Sequence, residues 1–242
     1  MLGKRVSRAD VLESYTPEKR WTELEGDFPS FVLYRPLSFL LTPMAVALGV
    51  SPMFVTLTSA GIALCMPVIA SRGGAHAYLW VAALAFLAHV LDCLDGNIAR
   101  TTKRASKLGE LTDGFVDACF WTLYLASIGL LVDRGPQLAG HGLELALSSA
   151  LLVILHRHLR ESYASSFGER AEFTTVAPAR LGMLAIVRIV VISFERLYVF
   201  ALLAGGAVGR LDLVLLCIAG YVAAIFVGAL TVTFGAALRK PR

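Results

Sequence analysis

The sequence predicts an all-α integral membrane protein with six transmembrane helices and an N-terminal interfacial helix. Of its 242 residues, 57% are hydrophobic and only 17% are charged, and the mean hydropathy is +0.69. The apolar residues are grouped in windows of about 20, which is the length that an α-helix needs to cross a bilayer. The charged residues lie mainly between these windows. This pattern indicates one compact membrane domain rather than several soluble ones.

The first 50 residues are expected to stay outside the hydrocarbon core. Residues 1–25 are polar and charged, so no cleavable signal peptide is expected there. The apolar stretch from Leu37 to Val50 follows Pro36, is interrupted by Pro43, and is too short to cross the membrane. We therefore expect residues 1–50 to form a cytoplasmic segment that ends in an interfacial helix.

Residues 51–242 are expected to form the six-helix membrane domain. Apolar windows predict its transmembrane helices at residues 53–70, 77–98, 111–132, 145–165, 183–207 and 212–238. The fifth window carries Arg188, Glu195 and Arg196, so its entry into the membrane could instead begin near Glu195.

The connections between the windows predict the orientation of the chain. Seventeen Lys and Arg residues fall in the N-terminal segment, the loops after the second and fourth helices, and the C-terminal tail. The opposite side has three, Arg72, Arg134 and Arg210. Because basic residues concentrate in cytoplasmic connections, both termini are expected on the cytoplasmic side.

Four aspartates lie near the same, cytoplasmic ends of the second and third helices. They are half of the eight in the chain: Asp92, Asp95, Asp113 and Asp117. Helical spacing places the first two on one face and the last two on another. Ionised carboxylates next to apolar segments are costly unless a cation compensates them, and hard oxygen ligands suit Mg²⁺ or Mn²⁺. A structural ion-pair network with Arg100 is the alternative, but one arginine leaves most of the negative charge uncompensated.

The spacing of these residues resembles the signature of the CDP-alcohol phosphotransferase family. That signature is D-x2-D-G-x2-A-R-x8-G-x3-D-x3-D, and all eight of its positions are matched between Asp92 and Asp117. The resemblance implies a six-helix membrane enzyme, working as a homodimer, in which an acceptor hydroxyl displaces CMP from a CDP-linked alcohol. It also implies that the four aspartates hold two divalent metal ions and that Asp117 is the catalytic base.

Small residues inside the signature are candidates for the nucleotide pocket. Gly96, Ala99 and Gly109 leave room for a cytidine diphosphate to approach the helix backbone, although close helix packing would also favour them. The resemblance adds Asp92 and Arg100 to the nucleotide-binding residues.

A further nucleotide contact is expected at the start of the first membrane helix. Residues 51–56 resemble the family's P-N-x-x-T element, with Met53 where an asparagine is frequent. Thr56 is the candidate contact, and capping of the helix start explains it equally well.

Three arginines are candidates for acceptor binding: Arg157, Arg160 and Arg196. Guanidinium groups bind phosphate oxygens well, and arginines at similar positions occur in relatives that accept a phosphorylated polyol. A topology-setting basic cluster is the alternative. The donor could be CDP-diacylglycerol or a CDP-linked small alcohol. The acceptor could be a polyol phosphate such as inositol phosphate, an amino alcohol or a lipid alcohol.

Other function classes fit the sequence less well. A divalent-cation transporter is the main alternative, but it would be expected to show inverted repeats and acidic residues near the membrane midplane. An intramembrane protease would not need four carboxylates or the small residues of the signature. The basic residues lie in membrane-flanking loops without a nucleic-acid-binding motif, so they are expected to meet membrane lipid rather than nucleic acid.

The cysteines and His89 are expected to be core residues. Cys65, Cys93, Cys119 and Cys217 are scattered in apolar windows without C-x2-C spacing, so neither zinc nor a disulfide framework is indicated. His89 is expected to be a hydrogen-bonded core histidine rather than a ligand.

Overall fold

The fold is a bundle of helices joined by short connections in a computed structural model that describes residues 6–168 and 193–239. These residues form α1 (Arg8–Glu13), α2 (Pro17–Gly26), α3 (Arg35–Ala47), α4 (Pro52–Arg72), α5 (Ala77–Thr101), α6 (Lys107–Val132), α7 (Gly142–Phe167), α8 (Tyr198–Ala207) and α9 (Leu211–Leu238). A π-helical turn at Ser30–Tyr34 precedes α3, and a 3-10 turn at Ser193–Leu197 precedes α8. Every regular element within the described ranges is helical, which confirms the all-α prediction.

Within the described residues, six helical stretches are long and apolar enough to cross a membrane: α4, α5, α6, α7, α9 and the continuous helix of Ser30–Ala47. The first five correspond to predicted windows. The predicted fifth span, 183–207, lies partly outside the described residues. Its described part is the turn at Ser193–Leu197 followed by α8.

Two helices, α4 and α6, begin earlier than their apolar windows because polar residues cap them. The Ser51 hydroxyl accepts a hydrogen bond from the Phe54 N–H (3.1 Å), so α4 begins at Pro52. The Ser106 hydroxyl accepts from the Gly109 N–H (3.0 Å), so α6 begins at Lys107 rather than at residue 111. Such caps satisfy N–H groups that have no partner inside the helix.

The helix expected at Leu37–Val50 is longer than the sequence indicates. With the π-helical turn it runs over Ser30–Ala47, which is 18 residues, so the prediction of a helix too short to cross the membrane was wrong. Pro36 stands where the π-helical turn passes into α3, and Pro43 lies inside α3.

This helix packs against α5. Near its start, Tyr34 packs with Phe86, Val90 and Cys93. Near its end, Ala45 packs with Leu94 and Ile98 of the same helix. These contacts run from residue 86 to residue 98 of α5, about 18 Å of its length. The interfacial position of the helix stays a prediction.

The residues before α3 form two short helices that the apolar windows do not predict. Ser7 and Asp10 cap α1 reciprocally, and the Thr16 hydroxyl accepts from the Lys19 N–H (3.3 Å) at the start of α2. The ring of Tyr15 packs edge-on against Phe39 of α3, with centroids 5.3 Å apart. We call residues 6–34 the N-terminal segment.

The bundle is built around α5 and α6. α4 packs against both of them, α7 packs against α6 and α9, and α8 packs against α5. Aromatic rings fill the interior where these helices meet, and Phe120, Trp121, Tyr124 and Tyr198 are all buried there. This core supports the helix ends that carry the aspartates.

Gly129 sets the distance between α6 and α7. A Cβ added to this residue would lie 2.7 Å from the Ala146 Cβ and 2.8 Å from the Gly142 carbonyl oxygen. These positions belong to the first turns of α7, so the two helices can approach closely only if residue 129 has no side chain.

The variant Gly129→Ala should therefore destabilise the protein by about 1–3 kcal/mol through overpacking. The matched control is Gly61→Ala on α4, where nothing lies within 4 Å of the added Cβ and alanine favours the helix. Melting of both purified variants in detergent tests this. A Gly129→Ala protein that melts at or above the Gly61→Ala temperature would contradict the packing argument.

Candidate active site

The four aspartates of the signature line one small cavity. Asp92 and Asp95 lie near the end of α5, and Asp113 and Asp117 lie in the second and third turns of α6. The cavity between them has a volume of about 20 Å³, which is room for a water-sized occupant. Thus the structure brings together the carboxylates that helical spacing placed on two separate faces.

Three of the aspartates have protein partners. The Thr56 hydroxyl of α4 donates to the buried Asp95 carboxylate at 2.6 Å. The guanidinium of Arg157, on α7, forms an ion pair with Asp117. Arg196 Nη1 lies 4.0 Å from Asp92 Oδ2. Cations and a hydroxyl from other elements therefore compensate part of the acidic charge.

The donor set fits a divalent cation in its chemistry. Carboxylate oxygens are the hard ligands that Mg²⁺ and Mn²⁺ prefer. As the side chains are placed, no three acidic, His or Cys groups within residues 6–168 and 193–239 converge as a metal site. To bind an ion, the Asp117 carboxylate would have to give up its ion pair with Arg157.

A larger cavity of about 680 Å³ opens on one side of the aspartates. Four predicted nucleotide-binding residues line it, namely Thr56, Gly96, Ala99 and Gly109, together with Asp95 and Asp113. We call it the nucleotide-side cavity. The predicted Asp92 lines the central cavity instead.

The predicted nucleotide-binding residue Arg100 is turned toward the bundle. Its Nη2 donates to the Asn97 Oδ1 at 2.8 Å, and its guanidinium lies against Gly96, where a Cβ would be 3.1 Å from Nη1. Two other basic residues, Arg104 and Lys107, line the nucleotide-side cavity. Both stand inside the eight-residue spacer of the signature, where the sequence indicates only that they contribute to membrane orientation.

A second cavity of about 370 Å³ lies on the other side of the aspartates. It shares Asp92, Asp113, Asp117 and Arg196 with the central cavity, and its outer wall includes Lys19 and Asp27 of the N-terminal segment. We call it the N-terminal cavity. Sequence reasoning missed this wall because residues 1–36 carry no motif.

Arg196 joins three parts of the chain at this point. Its Nη1 donates to the Nδ1 of His89 at 2.7 Å, and its Nε lies 3.3 Å from Asp27 Oδ2. The Tyr34 hydroxyl donates to the Arg196 carbonyl oxygen at 2.9 Å. His89 is buried and hydrogen-bonded as expected, but it also lines the central cavity beside the aspartates.

The three predicted acceptor arginines do not form one cluster. Arg157 contacts Asp117, and Arg196 lines both the central and the N-terminal cavity. Arg160 lies one turn further along α7, where its side chain is exposed.

A buried polar network holds the N-terminal segment against α5. The Glu23 carboxylate forms an ion pair with Arg35 and accepts a hydrogen bond from the Tyr15 hydroxyl at 2.5 Å. Arg35 Nη1 also donates to the Cys93 carbonyl and to the Asn97 Oδ1, each at 3.0 Å. Burial opposes ionisation of Glu23, but the charge of Arg35 and these hydrogen bonds hold its pKa below the usual value.

Because its folded-state pKa is lowered, Glu23 stabilises the docked N-terminal segment above about pH 4.5 and loses this effect as the pH falls through the lowered value. Hydrogen exchange in α2, corrected for intrinsic rates, should therefore increase on acidification. Glu23→Gln should show high exchange already at pH 7. The control Glu13→Gln, at an exposed site on α1, should keep the wild-type response. Identical pH profiles for Glu23→Gln and wild type would contradict the role of this carboxylate.

Comparison with known proteins gives one family. The model of the CDP-alcohol phosphatidyltransferase family matches residues 40–237, which include the four aspartates and both arginines that contact them. No curated protein matches the chain. The residues of the N-terminal segment that line the N-terminal cavity, including Lys19 and Asp27, lie before the matched region.

Proposed function

This chain belongs to the CDP-alcohol phosphatidyltransferase family, which transfers substituted phosphate groups from a CDP-alcohol to an acceptor, and we propose that it does so by metal-dependent, one-step displacement of CMP. The family is one of membrane transferases, so the chain is an enzyme rather than a cation transporter. The observation that carries the proposal is the placement of four aspartates between two cavities. One cavity can take the donor nucleotide and the other the acceptor.

Asp92, Asp95, Asp113 and Asp117 would hold two divalent ions, Mg²⁺ or Mn²⁺. When bound, such ions neutralise the diphosphate and the charge that develops on the departing CMP. The chain's own contribution is to gather the carboxylates at one point and to keep them oriented, as Thr56 does for Asp95.

The nucleotide-side cavity is the proposed donor site. Gly96, Ala99 and Gly109 line it with little side-chain bulk, so a diphosphate can come close to the helix backbone. Arg104 and Lys107 offer cationic groups for phosphate oxygens at the same cavity.

By family resemblance the last aspartate of the signature, Asp117, is the proposed base, and like Asp92 and Asp113 it lines both the central and the N-terminal cavity. An acceptor hydroxyl in the N-terminal cavity could give its proton to this carboxylate as it attacks phosphorus. In the structure this carboxylate is paired with Arg157, which a bound ion would have to replace.

The acceptor side would be completed by Arg157, Arg160 and Arg196. Arg196 lines the N-terminal cavity, and Arg157 is adjacent to it through Asp117. A phosphorylated polyol such as inositol phosphate would suit these groups, with Arg160 drawing the anion toward the site.

We place the reaction in phospholipid or phosphodiester biosynthesis at the cytoplasmic side of the membrane, where nucleotide-activated alcohols are made. The excess of Lys and Arg in the termini and in the loops beside the aspartates supports this orientation. By family resemblance we also propose a homodimer.

Replacing a metal-binding aspartate should abolish the reaction. Asp92→Asn, Asp95→Asn and Asp113→Asn should each reduce metal-dependent CMP release by at least about a hundredfold, because a charge needed in the transition state is lost. The control Glu144→Gln, at an exposed acid on the other end of α7, should keep wild-type turnover. Near wild-type turnover in any two aspartate variants would defeat the two-metal proposal.

Asp117→Asn should lower kcat by about 10²–10⁴ while changing the donor KM little, because a base acts only in the chemical step. Arg157→Gln removes the ion-pair partner but keeps the carboxylate, so it should cost less. Steady-state kinetics of both variants distinguish the roles. If donor affinity and kcat fall together in Asp117→Asn, the residue belongs to the metal site alone.

A further inference from the structure

We propose that Arg35 is a positioning residue for the aspartates of α5. It fixes residues 92–97, which we call the aspartate turn and which include Asp92 and Asp95, and it links this turn to the docked N-terminal segment. The role rests on the proposed metal-dependent reaction and belongs to a residue that acts through α5. The observation that carries it is one buried guanidinium that bonds to α2 on one side and to α5 on the other.

The guanidinium of Arg35 is held on two edges. On the side of α2 it pairs with the Glu23 carboxylate, which accepts from Nε at 3.1 Å. On the side of α5, Nη1 donates to the Cys93 carbonyl oxygen and to Asn97 Oδ1, each at 3.0 Å. The group also lies over the ring of Tyr15, 5.4 Å from its centroid. Arg35 is only 6% exposed, so these bonds are made away from water, where they are stronger.

The aspartate turn contains a residue that weakens a helix. Gly96 follows Asp95 directly, and glycine in a helix interior costs about 0.5–1 kcal/mol relative to alanine. Positions 93 and 97, to which Arg35 bonds, are one helical turn apart on the same face. The two bonds therefore hold both ends of the weakened turn, and the two carboxylates of α5 keep a fixed position relative to each other.

The same polar cluster sets the register between α3 and α5. Asn97 Nδ2 donates to the Ser38 Oγ at 2.8 Å, and the Ser38 hydroxyl donates to the Arg35 carbonyl oxygen at 2.8 Å. Around these bonds the interface of the two helices is apolar. Because hydrogen bonds are directional and apolar contacts are not, the bonds select one register. The carboxylates of α5 are thereby placed where they share the central cavity with those of α6.

The support for the aspartate turn comes from outside the region that matches the family. Glu23, Arg35 and Ser38 all precede residue 40, whereas the aspartate turn lies within the matched region. Undocking of α2 would remove Glu23 from one edge of the guanidinium. Docking of the N-terminal segment and order in the aspartate turn are therefore coupled.

Binding of Mn²⁺ to the purified full chain without substrate tests this, with the electron paramagnetic resonance signal of unbound Mn²⁺ as the readout. Arg35→Lys keeps the positive charge beside Glu23 but loses the planar fork that bonds to both sides. We expect it to raise the Kd for Mn²⁺ at least about tenfold, as the loss of a supporting contact around a metal site does. The control Arg210→Lys makes the same substitution in a pair with Asp212, beyond α8, and should keep wild-type affinity.

Asn97→Ala is the second variant, and it decides alone if Arg35→Lys cannot be purified. It removes the side-chain acceptor that Arg35 and Arg100 share, and it keeps the pair of Arg35 with Glu23. The Kd for Mn²⁺ should rise about threefold or more.

Wild-type Mn²⁺ affinity in both variants overturns the inference. Equal weakening in Gly129→Ala also overturns it, because that variant should be destabilised where α6 meets the first turns of α7, and the effect of Arg35 would then be one of stability alone. An Asp95→Asn protein that binds Mn²⁺ as the wild type does would overturn the proposed metal site itself, and this inference with it.

Discussion

The concentration of acidic groups where α5 meets α6 is the constraint on which the rest of the structure depends. Carboxylates at the ends of apolar helices are unfavourable unless cations or hydrogen-bond donors reach them. α4 supplies the Thr56 hydroxyl, α7 supplies Arg157, and the turn before α8 supplies Arg196. The convergence of these elements on one end of the bundle is thus explained by the need to compensate the same charge.

The contacts of Arg196 connect this end of the bundle to the N-terminal segment. Its guanidinium contacts Asp27 and His89, and its carbonyl accepts from Tyr34. His89 is packed among the rings of Tyr34, Phe120 and Trp121, so its position is fixed by the aromatic core. Because these contacts hold the planar guanidinium of Arg196 from several directions, the guanidinium has little freedom to rotate. This favours a defined geometry at the edge of the central cavity.

Much of this arrangement could be predicted from local sequence. The apolar windows found α4–α7 and α9, and helical spacing grouped the aspartates, because both signals depend on near neighbours in the chain. The pairs Arg157–Asp117 and Arg196–His89 could not be found in this way, since they join residues that are 40 and 107 positions apart. The wall that the N-terminal segment contributes to the N-terminal cavity could not be predicted for a related reason. Its helices are short and polar, and only tertiary contacts show that they line the cavity.

The division of the active site between two stretches of the chain has an evolutionary consequence. The aspartates and the nucleotide-side cavity lie within the region shared with the family, whereas Lys19, Thr22 and Asp27 come before it. In the proposed function, the reaction chemistry and the choice of acceptor would thus be encoded largely in separate stretches of sequence. A lineage could then acquire a new product through changes in the N-terminal segment, while the arrangement of buried charge that carries the chemistry stays unchanged.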